Sequence, residues 1–206
     1  MSENANYPYY DENLERNLVN SESMFAGVVD LLEHPTTREQ AELGNLTLAM
    51  VRPHVGPTAN LLGIEDYEAS QTIEEKITGL GVAAKFSVFF DDEVIDEFYA
   101  GDPQAVMMKA EPEDSSRFDN RWPEFKEFMT SGPTTILLLH SPNGYAVDLW
   151  RAHLGHWNIE KFRDPETIRG ALAVNVWNNL VHGSDSPSSV VRELRLIART
   201  VGSPKA

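Results

Sequence analysis

Three short apolar runs limit what this chain can fold into. LTLAMVRP (46–53), VAAKFSVFF (82–90) and TTILLLHS (134–141) are short enough for strands and too apolar for exposed loops. Each reads as a buried strand. The first stops at Pro53, which has no N–H to give to a ladder. Segments of helical period separate them, so the chain must place helices over a small sheet.

The period supports those helices. SESMFAGVVDLLE (21–33) spaces Met24, Phe25, Val28, Val29, Leu31 and Leu32 for one helix. PTTREQAE follows, with Thr36 and Glu39 as a capping box for a short second helix. After the first strand, HVGPTANLLGIEDYEAS is a long connection. TIEEKITGLG, capped by Thr72 with Glu75, reads as a helix before the second strand. DEVIDEFYAG is a short helix stopping at Gly101, with its acidic run DDEVIDE as a solvated face. Residues 102–121, including EPEDSS, show no period and read as a surface insertion. WPEFKEFMTSG is helical, and GYAVDLWRAHLG aligns Val147, Trp150 and Leu154 on one face. A polar loop, HWNIEKFRDPETIRG, leads to ALAVNVW, whose alternation suggests a strand. SPSSVVRELRLIART closes the order as a helix: Ser186 is the N-cap, Pro187 the first helical residue, and Val190, Val191, Leu194 and Ile197 the buried stripe. The order β-α-β-α-α-β-α-(β)-α fits an α/β or α+β sandwich.

The ends are polar. Residues 1–20 carry Tyr7, Tyr9 and Tyr10 without a sustained period and are expected to form a flexible arm. With the two helices they make an N-terminal extension over 1–45, too small for a core of its own. The main domain covers 46–200, and 201–206 is a tail. No apolar stretch is long enough to span a bilayer, and the acidic N-terminus lacks the apolar core of a signal peptide. A cytoplasmic protein is the default, with no membrane contact. A formal net charge of −15 disfavours nucleic acid, so a phosphate ligand would need a dedicated arginine cluster. With no cysteine in the chain, disulfides and thiolate zinc sites are excluded. His153 and His156 have helical spacing but no third ligand in sight, so no metal site is expected there.

Several polar residues stand out. His182 lies in NLVHGSDSP, at a tight turn just before the last helix. Glu193 lies on that helix, about two turns in, where its carboxylate could reach back. It could instead pair with Arg192 or Arg195 on the surface. Arg151 and Arg169 flank the polar loop, Asn179 precedes the histidine by three residues, and Arg52 ends the first strand.

TIRG, NLVHGSDS with the RELRLI helix, EFMTSGP and RAHLG together resemble the nucleoside diphosphate kinase family, over roughly residues 46–200. The resemblance implies a ferredoxin-like βαββαβ core with a small antiparallel sheet, and ping-pong phosphoryl transfer through a phosphohistidine. His182 falls on the phosphorylated histidine, Glu193 on the carboxylate that orients it, and Ser184 on the serine beside it. Arg151 and Arg169 match the arginines that hold nucleotide phosphates, and Asn179 the asparagine near ribose and phosphates. Tyr99 matches the tyrosine close to the histidine, with Phe98 as the competing alignment. Nucleoside di- and triphosphates, Mg²⁺ bound through their phosphates, and a homo-oligomer follow by the same resemblance. So does a helical turn at 168–172 with the last strand near 180–182, which conflicts with the strand reading of ALAVNVW; the family placement is preferred.

Three departures set this chain apart. Arg52-Pro53-His54 stands where the family has Lys-Pro-Asp, and a planar guanidinium does not replace a compact ammonium conservatively. Trp157, with Asn158 beside it, replaces a phosphate-binding threonine. The base-stacking phenylalanine is displaced, with Arg121 at its position and Trp122 next, after an insertion of roughly 14 residues. The function implied is an NDP kinase-like phosphotransferase acting on an NDP or related acceptor. The alternative is a catalytically weak nucleotide-binding or regulatory module.

Overall fold

A computed structural model describes residues 22–53, 77–109, 122–159, 161–173 and 179–202. The N-terminal tyrosines, the Thr72 cap and Arg121 lie outside the described residues. The three apolar runs form β1 (Leu46–Val51), β2 (Gly81–Val88) and β3 (Thr134–His140), and a fourth strand, β4, spans Val181–Gly183. Their order is β2-β3-β1-β4, and every pairing is antiparallel. Helices lie between them in chain order: α1 (Glu22–Glu33), α2 (Pro35–Glu42), α3 (Asp92–Phe98), α4 (Pro103–Lys109), α5 (Trp122–Thr130), α6 (Ala146–Leu154), α7 (Ile168–Leu172) and α8 (Pro187–Gly202).

Alternation along the central strands builds two cores. Leu48 and Met50 of β1 and Ile136 and Leu138 of β3 join a layer with Phe86, Ile95, Phe125 and Leu194. Ala49, Val51, Leu137 and Leu139 join the opposite layer with Trp150, Leu154 and Ile168. All six residues of β1 are buried, which is why its sequence is apolar apart from Thr47. This is the expected α+β sandwich with a small antiparallel sheet. The extension packs onto it: Val28, Leu31 and Leu32 of α1 share the first core with α8. Burying each is worth about 1.5–3 kcal/mol, and a helix of this length needs such support.

Local readings change at several points. The cap of α2 is His34, whose Nδ1 accepts from the Thr36 N–H at 3.3 Å, and Pro35 takes the first turn, so Thr36 lies inside the helix. Residues 77–80 are not helical and lead into β2. α3 stops at Phe98, with Tyr99 as its C-cap. The start of the insertion forms α4, where the Asp102 carboxylate accepts from the Ala105 N–H at 3.1 Å. α8 runs through Val201 and Gly202, into the supposed tail.

ALAVNVW is corrected as far as it is described. Ala171 and Leu172 belong to α7, because Thr167 caps that helix by accepting from the Gly170 N–H and Ile168 buries in the second core. The last strand is instead β4. Leu180 enters it in the left-handed region (φ 67°), and its carbonyl accepts from the Arg52 N–H at 2.8 Å. Met50 then lies opposite His182 and Ala49 opposite Gly183. Alternation therefore sends His182 to the α3–α8 side and turns Gly183 toward α6.

Gly183 sits against Trp150, whose indole N–H donates to the His182 carbonyl at 3.2 Å. A Cβ on Gly183 would overlap the indole Nε1 and come within 2.7 Å of Leu154 Cδ1. Both neighbours are fully buried and have nowhere to move. Gly183→Ala is expected to lower unfolding free energy by about 1–3 kcal/mol through overpacking, read by urea denaturation.

Candidate active site

His182 is 9% exposed and held from several sides. Its backbone is fixed by β1 and by Trp150. Phe98 and Tyr99 meet its ring edge-on, at centroid distances of 5.1 and 5.7 Å. Its Nε2 lies 3.4 Å from Oε2 of Glu193. Glu193 is 2% exposed because the apolar stripe of α8 turns this face of the helix into the core. An isolated carboxylate buried there would be costly, and the structure supplies it with partners. Ser184, fully buried, donates its hydroxyl to Oε2 at 2.6 Å. Arg192 donates Nη2 to the other oxygen, Oε1, at 3.2 Å. Glu193 therefore faces the histidine, and its pairing with Arg192 is made by a buried carboxylate, not on the surface. Among the described residues, Nδ1 of His182 has no hydrogen-bond partner.

A cleft of about 380 Å³ opens over this group. Arg151 reaches it from α6, Arg169 from α7 and Trp157 from the loop between them. Arg169 is 8% exposed, and it is anchored by donating to the carbonyls of Gly155 at 3.1 Å and Val181 at 3.0 Å. No carboxylate pairs with it among the described residues. Burial, followed by the charges of Arg52 and Arg151, lowers its pKa to about 9. A buried cation destabilised by burial and like charge is a seat for an anion. This meets the demand for concentrated arginine in an acidic chain.

Arg52 and Asn179 are brought together behind the histidine. Arg52 is 1% exposed; its Nη1 donates to Asn179 Oδ1 at 2.6 Å and its Nη2 to the Tyr99 hydroxyl at 3.2 Å. Its guanidinium carbon lies 5.0 Å from the centre of the Phe125 ring. Neither Arg52 nor Asn179 is among the residues that line the cleft. Burial raises the Tyr99 pKa, opposed by the Arg52 charge, so its hydroxyl stays protonated and polar. The guanidinium is embedded in the wall rather than presented to the cleft.

Trp122 does not reach the cleft either. Its indole N–H donates to Asp96 at 2.9 Å, Phe125 stacks on it at 5.3 Å, and Lys109 sits 4.0 Å from its ring centre. Trp157 is the half-buried indole that does line the cleft, stacked on His156 at 5.6 Å and 26°. Sequence reasoning left out Asp185, Ser189 and the turn 100–103, all of which border the cleft. Asp185 is locked by the Ser189 hydroxyl at 2.5 Å, which lowers its pKa. Its place one turn before α8, in the same SDSP run, was the available signal.

Comparison with known proteins follows the same outline. The family model for nucleoside diphosphate kinase matches residues 45–200. The chain belongs to the nucleoside diphosphate kinase family. A nucleoside diphosphate kinase of Mycolicibacterium vanbaalenii is 35% identical over 150 residues, covering 73% of this chain and 93% of the relative. One of Symbiobacterium thermophilum is 41% identical over 75 residues, so the match spans 36% of this chain and 48% of that relative. Among solved structures, the Aquifex aeolicus nucleoside diphosphate kinase superposes with a TM-score of 0.52 at 26% identity, over 74% of this chain and 94% of that one. The Encephalitozoon cuniculi enzyme gives 0.54 at 25% identity, over 79% and 94%. The α1–α2 pair lies outside the family match.

Ser184 is the cleanest probe of the buried carboxylate. Ser184→Ala removes a charge-assisted hydrogen bond and is expected to cost about 1.5–3 kcal/mol in chemical denaturation.

Proposed function

We propose that the chain carries the terminal phosphate of a nucleoside triphosphate to a nucleoside diphosphate through a phosphohistidine at His182. Membership of the family makes it a nucleoside diphosphate kinase-like phosphotransferase. The residue-level reading rests on one juxtaposition: an imidazole backed by a buried carboxylate, with Nδ1 unpartnered among the described residues, under a cleft holding Arg151 and Arg169.

In the first half-reaction, Nδ1 attacks the γ-phosphorus. The N–P bond forms as the bond to the β–γ bridging oxygen breaks, and the diphosphate leaves with that electron pair. Glu193 faces Nε2 and stabilises the positive charge that develops on the ring, as a triad acid does. Arg151 and Arg169 neutralise charge on the transferring group and fix its line of approach. The second half-reaction reverses these steps onto another diphosphate. Arg52 acts from behind: it ties Asn179 to Tyr99 and adds positive potential, while Trp157 stands at the mouth of the cleft. Among the described residues, no group of three metal-ligating side chains forms a cage. Mg²⁺ carried on the nucleotide phosphates would shield their charge. A homo-oligomer and a cytoplasmic setting belong to the same reading. Among the described residues, no helix is long and apolar enough to cross a membrane.

Incubation with γ-labelled ATP and Mg²⁺ tests the reading. An acid-labile, alkali-stable label is expected on the wild-type chain, absent from His182→Ala, and discharged by added nucleoside diphosphate. Tight nucleotide binding without label would overturn it.

Arg151 is exposed, so its loss is expected to leave the fold intact. Arg151→Ala is expected to raise KM for the triphosphate by roughly tenfold, the equivalent of one charge-assisted contact. Steady-state kinetics with the melting temperature unchanged would verify this.

A further inference from the structure

Arg192 was met above as a partner of Glu193, but its position gives it a larger part. It lies on α8 with its side chain 48% exposed, and it borders the cleft beside His182. Its guanidinium makes two directed contacts. Nη2 donates to Oε1 of Glu193 at 3.2 Å, and Nη1 donates to the carbonyl of Phe98 at 3.0 Å. The same guanidinium lies 6.0 Å from the centre of the Phe98 ring, and that ring meets the His182 imidazole edge-on. Two of the supports of the imidazole, the carboxylate at Nε2 and the Phe98 edge, are therefore held by one side chain.

The division of the carboxylate matters. Oε1 is occupied by Arg192, and Oε2 is left to Ser184 and His182. Without a donor on Oε1, the carboxylate can rotate about its last bond and divide its time between orientations. The contact at 3.4 Å between Oε2 and Nε2 is already long, so it has little to lose before it ceases to orient the ring.

We propose that Arg192 is a positioning residue for phosphoryl transfer: it locks Glu193 and the end of α3 together so that His182 keeps Nε2 toward the carboxylate and Nδ1 toward the cleft. This rests on His182 being the nucleophile. A guanidinium serves better than an ammonium because its planar fork satisfies two acceptors in fixed directions.

The experiment compares wild type with Arg192→Met, Arg192→Lys and Arg195→Met. Arg195 lies on the same helix, is exposed, and has no partner among the described residues, so its variant controls for lost charge. Arg192→Met is expected to lower kcat by roughly 10-fold to 100-fold, the range found when a partner orienting a functional group is removed. KM should change less than about twofold, Arg192→Lys should recover part of the loss, and Arg195→Met should match wild type. Nitrogen-15 NMR of the imidazole reads the same lock without turnover. One tautomer, protonated at Nε2, is expected in wild type and a mixture in Arg192→Met.

An unchanged kcat and an unchanged tautomer in Arg192→Met would overturn the proposal. So would a loss confined to KM, which would make Arg192 a phosphate ligand, or an equal loss in Arg195→Met. If wild type takes no label, the phosphohistidine reading fails by itself, and the tautomer measurement still decides whether Arg192 orients the ring.

Discussion

A single buried carboxylate organises this molecule's chemistry. Glu193 is 2% exposed, and leaving it unpartnered at that depth would cost several kcal/mol. The fold compensates by converging three donors on it: the Ser184 hydroxyl, the His182 ring and the Arg192 guanidinium. Those partners come from β4, the turn after it and α8. The carboxylate therefore fixes how the last strand enters the last helix. The requirement reaches further, since β4 can deliver His182 only if Gly183 leaves room for Trp150.

The cations are distributed by a different logic. Arg169 is almost fully buried, and no carboxylate pairs with it among the described residues. The backbone carbonyls of Gly155 and Val181 hold it instead. Neutral acceptors orient a guanidinium without cancelling its charge, so the field stays directed at the cleft. The lowered pKa of Arg169 is the physical trace of that arrangement. Arg151, Arg169 and Arg192 border one cleft in a chain of net charge −15, a local concentration of positive charge suited to an anionic ligand.

The positions read as departures from the family pattern, Arg52, Trp122 and Trp157, differ in where the fold puts them. The imidazole, the carboxylate and the serine meet beside the cleft, while Arg52 lies behind it, bonded to Asn179 and Tyr99, and Trp122 is occupied by Phe125, Lys109 and Asp96. Trp157 fills a position at the cleft mouth.

The sequence by itself determined three of the four described strands and most helices, and it singled out His182 and Glu193. Apolar runs of strand length permit only buried strands, and the NLVHGSDSP run carries its own turn and helix cap. Alternation alone misread the start of ALAVNVW, being a weaker constraint than the Thr167 cap and the burial of Ile168, while the resemblance placed the helical turn at 168–172 and the last strand near 180–182 correctly. The sequence reading also missed α4, whose start is set by the Asp102 cap rather than by period. Whether Arg52 faces a ligand or a wall could not be read from its place at a strand end, since that depends on where Tyr99 and Asn179 lie, 47 and 127 residues away in the chain. The division of Glu193 between His182 and Arg192 was equally a tertiary matter. Both partners were visible in sequence, but only packing of α8 against β4 decides that one carboxylate serves both at once.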